Sequence, residues 1–211
     1  MEGFWQAFSP VAVPGPPFDD RMSVQLAPGQ FLVLPIRPLP VADTAVASFI
    51  ANQASFTVVD MLTERMVALA AALQPQVIVG LPTLGLAFAP GIARGLGHEN
   101  FVALGYSRKF WYRDEYSVPI RSITTPGDGK RLYIDPLILP RLAGRRVVVV
   151  DDVASTGASL GAVAALLGTL GVEIAGCVVA MRQGMSEMAV PVRSVFQTPR
   201  FVRRADGWWP I

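Results

Sequence analysis

Two adjacent carboxylates, followed at once by small hydroxylated residues and a glycine, stand in the stretch Arg145 to Leu160, RRVVVVDDVASTGASL. Ionised Asp151 and Asp152 are acceptor-only groups, the chemistry that suits a sugar diol. The residues that follow, Ala154, Ser155, Thr156, Gly157, Ala158 and Ser159, offer hydroxyls and unencumbered backbone N–H groups, which suit a phosphate dianion. These groups need elements to position them. Val147 to Val150 is a continuous β-branched run and reads as a strand buried on both faces, as at the centre of a parallel sheet. Its carboxyl end at Asp151 sets the acids over the crevice where such sheets bind ligands. Thr156 to Leu170 reads as the next helix, whose positive dipole end completes an anion site.

Other readings of this stretch conflict with its spacing. Gly157-Ala158-Ser159-Leu160-Gly161 has the G-x-S-x-G form of a hydrolase nucleophile elbow, but that serine belongs at the turn directly after the strand, and the single histidine, His98, precedes Ser159. A dinucleotide-binding loop needs G-x-G-x-x-G here, and a P-loop ending at Gly129-Lys130 needs glycine where Thr124 stands. A strand–turn–helix with no ligand is the bland alternative.

Four aliphatic residues, two acids, an aliphatic, two variable residues, Thr-Gly, one residue and a Ser or Thr: this pattern resembles the signature of the type I phosphoribosyltransferases, which bind phosphoribosyl pyrophosphate (PRPP). The resemblance implies that Asp151 and Asp152 hold the ribose hydroxyls and that Ala154 to Ser159 wrap the 5′-phosphate. It also implies that Leu81-Pro82-Thr83-Leu84-Gly85, after the strand Val77 to Gly80, receives the pyrophosphate through Leu81, Thr83 and Leu84. Arg108 and Lys109 resemble the pair that opens the flexible loop of the adenine-type enzymes. Cations delivered by such a lid stabilise a leaving group that gains charge in the transition state. The chain departs from the family in its acids: Ser155 stands where hypoxanthine-type enzymes carry Asp, and the loop Glu of the adenine type has no fixed counterpart. Asp114 and Glu115, the acids nearest the Arg-Lys pair, are the candidates for removing the proton. Relatives of the hypoxanthine and xanthine type close the base pocket with a C-terminal hood, for which Trp208 and Phe196, with Phe201 and Trp209 behind them, are the aromatic candidates. Mg²⁺ is expected to arrive with the pyrophosphate.

Composition narrows the class. With 52% hydrophobic and 16% charged residues, the chain has the makings of a full core and not of a disordered protein. One cysteine, Cys177, allows no intramolecular disulfide, and a reducing, cytoplasmic setting is expected. MEGFWQAFSP lacks the basic start of a signal peptide. The apolar tract Ala162 to Met181 is interrupted by Gly168, Gly171, Glu173 and Gly176, so it reads as helix, turn and strand and not as a membrane span. Net charge is only +2, yet Arg108 to Arg146 holds nine basic residues against four acidic ones. That local patch matches one polyanionic small molecule better than a nucleic-acid surface.

Along the chain, residues 1–40 are rich in Pro and Gly, with Phe31 to Ile36 as an edge strand. A helix is expected from Ala45 to Ala51 behind Asp43 and Thr44, and another from Ser55 to Leu73. Phe101 to Leu104 and Arg131 to Ile134 read as strands around a long aperiodic polar stretch, Gly105 to Lys130. Val172 to Met181 is a further strand, and the tail from Val192 gives one strand and an irregular cap. Strands alternating with helices predict an α/β protein with a mainly parallel sheet and right-handed crossovers. With the resemblance, the expectation is one type I phosphoribosyltransferase domain over 1–211, with a core of about 43–182 and a hood from 1–42 and 183–211. It would transfer the phosphoribosyl group of PRPP to a nucleobase, a purine, as a homodimer. The alternative is a non-catalytic PRPP-binding regulator of the same fold.

Overall fold

The computed structural model of the chain describes residues 5–40, 43–120, 130–184 and 186–211. The part of the expected lid at 121–129 lies outside them.

The N-terminal segment is more regular than its composition suggests. It forms β1 (Phe8–Ser9), β2 (Arg21–Ala27) and β3 (Gln30–Pro38), with β2 and β3 joined as a hairpin through Pro28 and Gly29. β3 was expected at an edge but pairs with β1, with β2 and with β4 (Thr44–Ala47). β4 also replaces the helix expected from Ala45. Ala45 and Ala47 are buried while Thr44 and Val46 are only partly so, a period of two that the sheet can use and a helix cannot. A single 3₁₀ turn, Ala51–Gln53, follows. Alanine's small side chain fits under either element, so the neighbouring strands decide.

α1 (Phe56–Ala71) agrees with its pattern. The Ser55 hydroxyl accepts a hydrogen bond from the Val58 N–H at 3.3 Å, and Val58, Leu62, Met66 and Ala70 form the buried stripe. Then come β5 (Val77–Gly80), α2 (Ala89–Gly95), β6 (Val102–Ala103), β7 (Ser117–Pro119), β8 (Arg131–Tyr133), β9 (Arg146–Ala154), α3 (Ala158–Gly168), β10 (Glu173–Gln183) and β11 (Val192–Thr198). The central sheet has the order β11-β10-β9-β5-β6, and every pairing in it is parallel. β9 is dry on both faces, as its valine run requires. Val148 and Val150 pack with α1, while Val147 and Val149 pack with Leu160, Val163 and Leu167 of α3.

The tail corrects the expectation of one strand and an irregular cap. After β11 on the central sheet's edge, β12 (Arg200–Arg204) and β13 (Gly207–Pro210) form a hairpin through Ala205 and Asp206. β12 pairs with β4, so strands from both ends of the chain build a second sheet, β1-β3-β4-β12-β13 with β2 on β3. Phe201 is fully buried beneath it, edge-on to Phe18 at 6.0 Å.

Gln6 anchors this second sheet to the core. It is 1% exposed; its Nε2 donates to the Ser48 carbonyl at 2.6 Å, and its Oε1 accepts from the Ile50 N–H at 2.8 Å. Gln6→Leu strips partners from two backbone groups, each worth about 1–3 kcal/mol if left dry. Urea denaturation should show a loss on the order of 2 kcal/mol or more; a loss below ~0.5 kcal/mol would mean that water replaces the amide.

Candidate active site

The site begins with unequal strand lengths. β5 ends at Gly80 opposite Val150, whereas β10 continues beside β9 as far as Ala154. Asp151 to Ala154 therefore overhang β5, and the segment Leu81 to Gly85 fills the notch. The Leu81 N–H donates to the Val150 carbonyl at 2.9 Å, and the Gly85 N–H donates to the Asp151 carboxylate. The Pro82–Thr83 peptide is cis. Glycine is required at 85: a Cβ there would lie 2.5 Å from the Val150 carbonyl oxygen and 2.9 Å from the Asp151 Cα.

The two acids contact each other and the backbone around them. The Asp152 N–H donates to Asp151 Oδ1 at 2.9 Å, the Val153 N–H to Asp152 Oδ1 at 2.8 Å, and the Ala51 N–H donates to Asp152. Asp152 is 7% exposed. Burial, then the neighbouring Asp152 charge, hold the Asp151 carboxyl well above the usual carboxylate range. Burial also pushes Asp152 up to about 6, against hydrogen bonds from Asp151 and the backbone that favour its ionised form. Without a ligand the pair titrates as a unit and retains a proton at pH values where an exposed carboxyl is bare.

The loop after the pair turns at Gly157, whose φ of +79° puts it in the left-handed region before α3 starts at Ala158. A Cβ at Gly157 would also lie 2.9 Å from Met188 Sδ, so residues 187–188 lie directly against this loop. Ser155 donates to Gln183 Oε1 at 2.9 Å, and Gln183 Nε2 donates to the Ala47 carbonyl at 2.8 Å.

The structure thus brings Asp151, Asp152, Ala154 to Ser159 and Leu81 to Gly85 together. The other candidates make no hydrogen bond or ion pair with these residues and hold partners of their own. Arg108, Lys109, Asp114 and Glu115 follow β6 on an exposed segment in which Arg108 pairs with Asp114 at 3.3 Å and Arg113 with Glu115 at 3.4 Å. Exposed pairs of this kind contribute little stability, so the segment can exchange them for other partners. Phe196 and Trp208 are 6% and 8% exposed; Phe196 meets Phe49 edge-on at 6.1 Å, and the Arg203 guanidinium lies 5.2 Å above the Trp208 ring. Trp209 hydrogen-bonds Asp206 at 2.9 Å.

Sequence reasoning missed Tyr106, Lys130 and Gln183. Burial, then the charges of Asp151 and Asp152, raise the Tyr106 phenol, which lies within their field at the carboxyl end of β6. Lys130 Nζ stands 5.5 Å from the Tyr106 ring centroid. Neither carries a motif. Gln183 had a weak signal, a polar residue just past the apolar run Cys177 to Met181.

The raised acid sets the sign of a pH effect. Because the folded Asp152 titrates near 6 and its ordinary value is 3.8, the native state binds more protons between those values, and stability falls as pH rises through that window and stays lower above it. Asp152→Asn should therefore stabilise the unliganded protein at pH 7.5 by on the order of 1–3 kcal/mol and flatten that pH dependence. Thermal melts at pH 4.5 and 7.5 check it: an equal or lower melting temperature for the variant at pH 7.5 contradicts the buried charge.

Comparison with known proteins follows the same lines. The sequence model described as phosphoribosyl transferase domain matches residues 45–205. Comparison with curated protein sequences gives no match. Among solved structures, an adenine phosphoribosyltransferase from Giardia lamblia complexed with 9-deazaadenine aligns with a TM-score of 0.61 at 19% identity, covering 78% of this chain and 93% of that one. The Saccharomyces cerevisiae adenine phosphoribosyltransferase aligns at 0.57 and 23% identity over 77% of this chain and 93% of that one. The enzyme from Thermoanaerobacter pseudethanolicus gives 0.50 and 21% over 67% and 81%. These likenesses show the fold, and the family match over residues 45–205 shows that the chain belongs to the phosphoribosyl transferase domain family, with the type I phosphoribosyltransferase fold.

Proposed function

We propose that this phosphoribosyltransferase moves the phosphoribosyl group of PRPP onto a purine base and releases pyrophosphate. The observation that carries the reading is the acid pair at the overhanging end of β9, flanked by an amide-rich turn into α3 on one side and by Leu81 to Gly85 on the other. A diol on Asp151 and Asp152, a 5′-phosphate on the loop to Ser159 and a pyrophosphate toward Leu81, Thr83 and Leu84 use each feature for the chemistry it suits. The adenine named in the Saccharomyces complex and the 9-deazaadenine in the Giardia complex support a purine.

A ring nitrogen of the base attacks C1′ as the bond to pyrophosphate breaks, through an oxocarbenium-like state. The main contribution of the protein is orientation and charge placement. Arg108 and Lys109 leave their exposed position to meet the departing pyrophosphate. Glu115 or Asp114 on the same segment takes the proton of the base. Mg²⁺ supplies charge neutralisation on the pyrophosphate oxygens when bound. The acid pair, a set of hard oxygen donors, suits an ion that arrives with PRPP. The second sheet serves as the hood over the base, and hood and core act as one domain. No helix of the described residues is long and apolar enough to cross a membrane.

The deciding measurement is pyrophosphate release with PRPP, Mg²⁺ and adenine, hypoxanthine, guanine, xanthine or uracil. Turnover with a purine is expected; PRPP binding with no turnover of any base would favour a non-catalytic PRPP-binding regulator. Asp151→Asn should weaken PRPP binding by about 1.5–3 kcal/mol. PRPP affinity of the wild type should rise as pH passes upward through about 6, because the diol needs ionised acceptors. Alanine at Arg108 or Lys109 should lower kcat more than it raises KM, the signature of contacts made only on closure. Glu115→Gln should lower kcat about 10²-fold with PRPP binding kept.

A further inference from the structure

Near the end of β10 stands a cation that the site described above does not use. Arg182 is level with Ala154 of β9, and its side chain turns to the segment that follows β10, where Nη2 donates to the Ser186 carbonyl at 3.1 Å. Its Nε is buried and meets no acceptor among the described residues, and no carboxylate among them pairs with the guanidinium. A buried donor in this state is costly unless an acceptor reaches it. Beside it opens a cleft of about 350 Å³, lined by Arg182, Met188, Ala189, Val190, Pro191 and Val192. That is the size of a small-molecule site, and none of these residues belongs to the acid pair, the loop to Ser159 or Leu81 to Gly85. Strand register gives the cleft its polarity. Arg182 is level with Gln197 of β11, whereas Val192 is level with Cys177 further back along β10, so the cation stands at one end and an apolar wall runs away from it. Nε and Nη2 share one edge of the guanidinium, a fork that matches the two oxygens of a carboxylate.

We infer that this cleft is a second ligand site, for a small monocarboxylate with an apolar chain, and that its occupant acts on the loop to Ser159 through Ser186, Glu187 and Met188. The coupling rests on the phosphoribosyl-transfer reading; the site does not. Ser186 is tied to Arg182, while Met188 Sδ and the Glu187 carbonyl lie 2.9 Å and 3.4 Å from where a Cβ on Gly157 would stand. A carboxylate on the Nε–Nη2 edge competes with the Ser186 carbonyl for Nη2. Glu187 and Met188 then lose their hold against the turn into α3, the place of the 5′-phosphate in the proposed reaction. Occupancy of the cleft therefore weakens PRPP binding, and PRPP weakens the carboxylate by the same factor.

Hexanoate is the probe, hexanamide its neutral counterpart and inorganic phosphate an anion without the chain. By ligand-observed NMR the wild type should bind hexanoate about tenfold or more tighter than either of the others. Arg182→Met, which keeps an unbranched side chain and removes the fork, should erase the preference for hexanoate over hexanamide. Ala189→Phe fills the cleft from an exposed position, so it should lose about tenfold in hexanoate affinity with the melting temperature kept, and it serves as the test if Arg182→Met does not fold. In calorimetry with PRPP and Mg²⁺, hexanoate should weaken PRPP about fivefold and then level off as the cleft fills, in the wild type and not in either variant. Hexanoate bound no better than hexanamide, or bound equally by the wild type and both variants, overturns the site. PRPP affinity that keeps falling in proportion to hexanoate puts both ligands in one place and overturns the inference, and unchanged PRPP affinity at saturation overturns the coupling. If the wild type does not bind PRPP, the proposed function fails on its own account, and the hexanoate measurements still decide the cleft.

Discussion

Two carboxyls side by side in a dry place are unstable unless something neutralises them, and the architecture around β9 is arranged by that constraint. The strand holds them by its ladder to β10 and leaves them unflanked on the β5 side, where amides from Leu81 to Gly85 approach. The backbone N–H groups of Gly85, Ala51, Asp152 and Val153 offset part of the charge, yet both carboxyls remain raised. What the pair still calls for is cationic or hydrogen-bond-donating partners, the role the proposed function gives to a ligand diol. The unliganded site therefore stores free energy that ligand binding releases, the usual relation between a functional site and the stability of its scaffold.

The surrounding elements divide into those that are fixed and those that can move. The parallel sheet is packed on both faces, by α1 and by α3, so the acid pair and the loop into α3 stand on rigid ground. The segment after β6 is held by exposed ion pairs, by a Trp111–Asp135 hydrogen bond at 3.1 Å and by the short β7–β8 ladder. Such contacts are weak enough to be traded for contacts with a substrate. Gln183 joins the fixed part to the second sheet, so that sheet keeps its register with the loop from Ala154 to Ser159 without a covalent link.

Some of this was present in local pattern. A β-branched run specifies a strand buried on both faces wherever it falls, and helical periodicity from Ser55 specifies α1, because both signals repeat within a few residues. The turn from Asp151 to Ser159 carries its chemistry in residue type alone. The same logic misread Thr44 to Ala47: alanines tolerate helix and strand alike, and only the strands β3 and β12 on either side selected the latter. It also missed the β12–β13 hairpin, although Asp206-Gly207 after alternating residues was a usable signal.

By itself, then, the sequence determined the central strand, the acid pair, the small-residue turn into α3 and the family to which they point, since each is a property of neighbours in the chain. Tertiary structure alone decided that the acids overhang a shorter strand, that Tyr106 lies within their field with Lys130 against its ring, and that segments near both ends of the chain combine into one sheet. It also decided the hydrogen-bond sense of Ser155, because the carbonyl that sets the Gln183 amide is 136 residues away from it. The physical reason is common to all of these: strand length, burial and hydrogen-bond direction are fixed by partners that sequence separation hides, and the free energy of a buried polar group depends on those partners more than on the group itself.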